Sequence, residues 1–172
     1  FFSLPWEPQR WSQGGLTAEI FAPERLTKDD PAALGMQDTL AWLNAAVAPY
    51  PGKTLRMIAV PELGFSGYAL PQTLLISHRL GFRAQQVPDA GFNQIYRRSV
   101  HETAHQWFGH LLGYGIAEER AFLVESLAKY AELVMMERRY GRRAMQALVD
   151  YEGDRYRNAR LTPAQGAVAL ID

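Results

Sequence analysis

Apolar and polar residues follow two different periods along the chain, and these periods predict strands first and helices afterwards. Residues 16–22 alternate with period two, which predicts a strand that ends at Pro23. Residues 55–60 are largely apolar in both phases, as in a strand covered on both faces, and Pro61 ends this segment. Residues 74–78 predict a further strand, beyond a loop that contains glycine and proline.

Apolar residues three and four apart predict helices in the remaining chain. The first helix begins at Asp30-Pro31, a capping residue followed by a proline suited to the first turn, and ends before Tyr50. Three more are expected at about 90–112, at 119–139 and, after a break at Gly141, up to about 160. Strands followed by a helical bundle predict an α+β domain rather than alternating βαβ units.

Length and composition bound the domain organisation. Residues 1–15 show no period and predict an irregular lead-in whose aromatic side chains pack on the main body. A chain of 172 residues that is 48% hydrophobic and 21% charged is typical of one soluble domain, which we assign to residues 16–172. Because the chain begins at Phe1 rather than methionine, we expect it to be a piece of a longer protein.

Charge and cysteine content narrow the function classes. Lysine plus arginine equal aspartate plus glutamate at 18 each, so no net field attracts nucleic acid, and we expect no nucleic-acid partner. No apolar run approaches the roughly eighteen residues of a membrane span, so the fragment itself is predicted to be soluble. The chain has no cysteine, which leaves histidine and carboxylate as ligands for a transition metal.

The string His101-Glu102-Thr-Ala-His105 carries the strongest chemical signal. Residues four apart lie on the same face of a helix, so the two imidazoles can converge on one metal ion. Glu102 is rotated by about 100°, close enough to take a proton from a metal-bound water. The spacing predicts a zinc site, and the alternative is a surface helix with two unrelated histidines. His110 falls off the ligand face and is predicted to be a packed or surface residue.

A catalytic zinc ion needs a third protein ligand besides the two histidines. Glu118 and Glu119 fall in or beside a turn, whereas Glu125 lies inside the next predicted helix among apolar residues. A carboxylate there would be costly to bury unless it met a cation or a metal. The alternative for Glu125 is an ion pair with Lys129, four residues further on. With the histidine motif upstream, we favour Glu125 as the ligand.

These segments resemble a known family. Residues 101–109 read His-Glu-Thr-Ala-His-Gln-Trp-Phe-Gly and residues 125–130 read Glu-Ser-Leu-Ala-Lys-Tyr. Both are similar to the gluzincin zinc peptidases of the aminopeptidase N and leukotriene hydrolase family. The similarity is greatest to a divergent bacterial branch associated with transporter permeases, which also has histidine at the position of His110.

The resemblance implies a fold, an activity and partners. It implies that residues 16–172 are a thermolysin-like zincin catalytic domain whose C-terminal part is missing, in which a small N-terminal sheet packs on a helical bundle that carries the metal motif. It also implies an aminopeptidase-like hydrolase that binds one zinc ion and cleaves peptide bonds with a zinc-activated water, with Glu102 as general base. The implied partners are a peptide substrate and, through missing parts of the parent protein, a membrane transporter.

Substrate binding is expected on an edge strand within residues 67–77, to which the peptide adds as a further strand. The substrate contacts implied by the resemblance are Gly67, Tyr68 and Ala69. In the family, a Gly-x-Met-Glu-Asn stretch recognises the free amino group of the substrate. This chain departs from that pattern, because Leu70 occupies the glutamate position. Glu62 is a neighbouring alternative carboxylate, although a solvated residue at the end of a strand is the favoured interpretation for it. The departure leaves open a second function, a non-catalytic zinc-binding or peptide-binding module of a membrane transport complex, although an intact Glu102 favours catalysis.

Overall fold

A computed structural model describes residues 5–61, 67–78, 91–113 and 122–161. The described residues form five strands and four α-helices, with a π-helical turn before the third helix. In chain order they are β1 (Gln9–Gln13), β2 (Leu16–Phe21), α1 (Pro31–Ala46), β3 (Thr54–Val60), β4 (Gly67–Leu70), β5 (Thr73–Ser77), α2 (Gln94–Ala104), the π-helical turn (Phe122–Ser126), α3 (Leu127–Tyr140) and α4 (Arg142–Leu161). None of the described helices is long and apolar enough to cross a membrane.

The strands form one mixed sheet in the order β1-β2-β3-β5-β4. The three inner strands are parallel, and β1 and β4 pair antiparallel at the two edges. A small mixed sheet with four helices agrees with the predicted α+β class. The sheet nevertheless contains one βαβ unit, because α1 connects the parallel neighbours β2 and β3.

One face of the sheet forms the core with the helices. Alternation along β3 buries Leu55, Met57 and Ala59 and exposes Arg56, so the prediction of a strand covered on both faces is wrong. Helix α1 packs closely on α2 at Gly35. A Cβ atom added at this residue would lie only 2.7 Å from the Tyr96 carbonyl oxygen. This close approach holds α2, which carries the histidine motif, against α1.

The first fifteen residues are more regular than predicted. Gln9–Gln13 form strand β1, so an irregular lead-in is wrong for that segment. Gly14 and Gly15 have φ angles of 59° and 82°, as the two central residues of a tight hairpin turn do. The Arg10 guanidinium lies 2.7 Å from the Glu19 carboxylate of β2, across the antiparallel pair. The paired glycines are the sequence signal for this hairpin, and the boundary proposed at residue 16 stays a prediction.

The helix that carries the motif is shorter than predicted. It begins after Asn93, whose side chain accepts a hydrogen bond from the Tyr96 amide, and it ends at Ala104. The prediction of helix up to residue 112 is wrong, because the chain turns sharply there: the Leu112 amide donates to the Trp107 carbonyl at 2.7 Å. Gly109 has a φ of 125°, which a helix cannot accommodate. The helix predicted from 119 begins outside the described residues.

Candidate metal centre

The two motif histidines lie at the carboxyl end of α2. His101 is in its last turn and His105 is the capping residue, and both are buried. Their rings meet edge to face, with planes 88° apart and centroids 4.6 Å apart. The two Nε2 atoms lie 3.1 Å from each other. The predicted convergence of the two imidazoles is therefore present, although the helix ends between them.

Glu125 comes to the same point from the π-helical turn. Its two carboxylate oxygens lie 3.3 Å from Nε2 of His101 and 3.7 Å from Nε2 of His105. The argument from an apolar environment is wrong, because the Glu125 side chain is 59% exposed. Lys129, the alternative partner, has its ammonium 3.1 Å from Glu132 and also 3.1 Å from Glu152. Glu118 and Glu119 lie outside the described residues.

The spacing of these three side chains fits a zinc ion. One ligand atom from each of His101, His105 and Glu125 lies within 4.8 Å of the others. A tetrahedral zinc ion with bonds of about 2.0–2.2 Å separates its ligand atoms by roughly 3.3–3.6 Å. The two Nε2 atoms are 3.1 Å apart, and the two Glu125 oxygens lie 3.3 Å from one of them and 3.7 Å from the other, close to that range. Two imidazoles and a carboxylate could thus hold one zinc ion and leave a fourth position open.

Both histidines direct Nε2 toward this point because Nδ1 is engaged elsewhere. His105 Nδ1 lies 3.1 Å from the Phe108 carbonyl, which can only accept, so Nδ1 carries the hydrogen. His101 Nδ1 lies 2.6 Å from the Glu132 carboxylate. Burial and the nearby His101 lower the pKa of His105, which favours the neutral, ligand-competent ring. Burial alone would lower the pKa of His101 as well. The nearby Glu125 and Glu132 carboxylates have the larger, opposite effect, so the pKa of His101 is raised.

Glu132 is a site residue that sequence reasoning missed. It is 1% exposed, and its carboxylate also lies 2.6 Å from the Arg97 guanidinium. Burial alone would raise the pKa of Glu132, but His101 and Arg97 lower it to about 2. A carboxylate that fixes the second nitrogen of a metal-binding histidine orients the ring. The signal was available, because Glu132 lies two helical turns beyond Glu125 and therefore on the same side of the helix.

Glu102 lies beside the histidine pair with its carboxylate against the sheet. It is 3% exposed, and burial raises its pKa despite the attraction of His101 and Arg98. Gly67 of β4 packs on this carboxylate: a Cβ atom added there would lie only 2.7 Å from Cγ of Glu102. No side chain larger than hydrogen fits at position 67 without moving Glu102. Helix α2 therefore presents a buried carboxylate directly next to the edge strand.

The Gln106 side chain, just beyond the end of α2, forms hydrogen bonds with the hairpin of β4 and β5. Its amide nitrogen donates to the Leu70 carbonyl at 2.8 Å, and its amide oxygen accepts from the Gln72 amide at 2.8 Å. The Tyr50 hydroxyl donates to the same oxygen at 3.2 Å. The expected substrate contacts Gly67, Tyr68 and Ala69 all lie in β4, which is at the sheet edge as predicted. Glu62 lies outside the described residues.

Comparison with known proteins places the chain in a family. None of the curated proteins compared with the chain matches it. A model of the peptidase family M1 domain matches residues 35–164. This range is most of the 172 residues and includes His101, His105 and Glu125. The chain therefore belongs to peptidase family M1.

Proposed function

We propose that this chain is the catalytic part of a zinc-dependent, aminopeptidase-like peptidase with a thermolysin-like fold. The observation that carries the proposal is the convergence of His101, His105 and Glu125 at distances suited to zinc, with Glu102 buried beside them. Membership in peptidase family M1 supports peptide hydrolysis. The non-catalytic alternative does not account for Glu102, because a structural zinc site needs no additional buried carboxylate next to its ligands.

The roles of the residues follow from their positions. His101 and His105 would hold zinc through Nε2, and Glu125 through its carboxylate. Zinc, when bound, supplies a Lewis acid that polarises a carbonyl and makes water more acidic. Glu102 accepts the proton of the attacking water and returns it to the leaving amine. Burial raises the pKa of Glu102 in the metal-free chain, the direction that favours holding the proton before its return.

The substrate would bind along β4 as an added strand. Main-chain hydrogen bonds to an edge strand fix the register of an extended peptide without dependence on its side chains. Tyr68 and Leu70 are exposed on β4, and an exposed leucine cannot pair with an ammonium group. We therefore propose that main-chain pairing dominates recognition here. Association with a membrane transporter stays a prediction from the resemblance.

Removal and return of zinc test the proposal. We expect the full-length protein to bind one zinc ion, to lose peptide hydrolysis on chelation and to recover it with zinc. Glu125→Ala removes one of three ligands and is expected to lose stoichiometric zinc, measured by metal analysis after dialysis. Exposed Glu137→Ala is the matched control on the same helical segment. Stoichiometric zinc without turnover on a broad peptide panel would refute the peptidase and support the non-catalytic module.

The contact between Gly67 and Glu102 gives a second expectation. Gly67→Ala forces the Glu102 carboxylate away from β4, because the added methyl group would lie 2.7 Å from Cγ of that residue. A displacement of about 1 Å at a reacting group can cost on the order of 100-fold in rate. We expect kcat to fall by that order with zinc content unchanged. Ala69→Gly alters the same strand without crowding Glu102 and is the control; equal losses in both variants would contradict this reading.

A further inference from the structure

Two consecutive arginines of α2 have different surroundings. Arg97 is 2% exposed, and its guanidinium lies 2.6 Å from both the Glu132 and the Glu152 carboxylates. The Arg98 side chain is 23% exposed, and its Nη1 atom lies 3.5 Å from Oε1 of Glu102. Within the part of the chain that the structure describes, Glu102 is the one carboxylate at ion-pair distance from Arg98. Arg97 is therefore a paired core residue, whereas Arg98 is a partly exposed cation beside the proposed base.

The contact between Arg98 and Glu102 uses only part of the guanidinium. A charge-assisted N–H···O bond is about 2.7–2.9 Å long, so a separation of 3.5 Å is a weak ion pair. A guanidinium carries five N–H donors in a planar fork, and two carboxylates can bind it at different edges. Arg97 illustrates this with its two glutamate partners. Arg98 thus has the capacity to bind a second carboxylate without releasing Glu102.

The position of Arg98 places such a carboxylate close to the scissile bond. Arg98 and Glu102 are four residues apart and share one face of α2, and Oε1 of Glu102 is the atom nearest to a Cβ added at Gly67 of β4. A general base lies about 3 Å from the proton that it removes. The guanidinium is thus about 7 Å from the reacting carbonyl, which is the span of two residues in an extended peptide.

The strands beside this site add no negative charge. Neither β4, with the sequence Gly-Tyr-Ala-Leu, nor β5, with the sequence Thr-Leu-Leu-Ile-Ser, contains an acidic residue. Leu70 is exposed on β4, so it leaves the Arg98 charge without an opposing carboxylate from that strand. A cation in this place attracts a substrate carboxylate and repels a substrate ammonium group.

We infer that Arg98 is a specificity-determining residue that binds a substrate carboxylate within about two residues of the scissile bond. The substrate class that follows is acidic peptides. The carboxylate comes either from an aspartate or glutamate side chain or from the free carboxyl terminus of a short peptide. This inference rests on the proposed peptidase function.

Matched acidic and neutral peptides test the inference. Aspartate is compared with asparagine, and glutamate with glutamine, at each of the two positions on either side of the cleaved bond. Every peptide is made with a free and with an amidated carboxyl terminus, which separates the two sources of the carboxylate. We measure kcat/KM with the full-length protein, and Kd for its zinc-loaded Glu102→Gln variant by fluorescence anisotropy.

We expect the acidic peptide to be preferred about tenfold at one of these positions. This is the lower end of the range for hydrogen bonds to charged groups, because the Arg98 side chain is partly exposed and the Glu102 carboxylate repels a second anion. The preference should shrink as salt is raised from about 0.05 M to about 0.5 M, because ions screen a partly exposed pair.

Variants of Arg98 separate substrate binding from the support of Glu102. Arg98→Gln removes the charge, and we expect the ratio of kcat/KM between acidic and neutral peptides to fall to about one. Arg98→Lys keeps the charge and should retain part of the preference. Arg143→Gln removes the same charge from an exposed position of α4 and should leave the ratio unchanged. Zinc content equal to wild type verifies that the variants are folded.

The possible outcomes distinguish this inference from the proposed function. Equal kcat/KM and equal Kd for acidic and neutral peptides at every position would overturn the inference, even where hydrolysis is intact. A loss of kcat in Arg98→Gln that is the same for both kinds of peptide would also overturn it and assign Arg98 to the positioning of Glu102. A preference for acidic peptides in Kd without Glu102-dependent hydrolysis would support the inference and refute the peptidase.

Discussion

Glu102→Gln is expected to lower the turnover of peptides by about 10²- to 10⁴-fold, the range that general acid and base catalysis contributes. Glutamine has nearly the shape of glutamate, so it fits the same buried place against Gly67. It cannot accept the proton of the attacking water. Since the proposed zinc ligands are His101, His105 and Glu125 and not Glu102, we expect the variant to keep one zinc ion.

The measurement compares kcat and bound zinc in the same preparation. Glu137→Gln removes a carboxylate from an exposed position of α3 and should leave both unchanged. Turnover within threefold of wild type in Glu102→Gln would show that another group accepts the proton. Loss of zinc together with turnover would show that Glu102 acts on the metal centre rather than on the reaction.

The sequence predicted the metal centre better than the path of the chain around it. Spacing alone placed His101 and His105 on one side of a helix, and their Nε2 atoms do lie 3.1 Å apart. Glu125 was predicted on an incorrect premise, that it is buried among apolar residues. It reaches the histidines from within a π-helical turn that precedes α3, and no periodicity of apolar residues predicts such a turn.

Other features depend on contacts between distant segments. The end of α2 at Ala104 follows from the turn that Leu112 closes and from the indole of Trp107, which donates to the Ala48 carbonyl at 2.8 Å. An apolar stripe continues through that turn, so local pattern predicted helix where tertiary packing bends the chain. Gly67 illustrates the same limit. Its need to be glycine arises from Glu102, thirty-five positions away in sequence, and reads locally as an ordinary turn residue.

Glu132→Ala is expected to have the largest effect on stability. Glu132 is 1% exposed and pairs with Arg97, which is 2% exposed, so its removal leaves a buried guanidinium with Glu152 as its other carboxylate partner. Breaking a buried pair at one partner costs about 3–5 kcal/mol, and Glu152 places the expected loss near the lower figure. Denaturant unfolding of the metal-free protein measures the change.

The same variant tests the orientation of His101. Without the carboxylate 2.6 Å from Nδ1, the ring loses the contact that directs Nε2 toward Glu125. Loss of such a supporting contact lowers metal affinity by about 10- to 100-fold. Zinc Kd is measured by competition with a chelator under conditions where the variant is folded. Glu152→Ala, which also contacts Arg97 but not His101, is the matched control. Equal zinc affinity in Glu132→Ala and Glu152→Ala would assign Glu132 to stability alone, because of these two residues it is Glu132 that contacts the His101 ring.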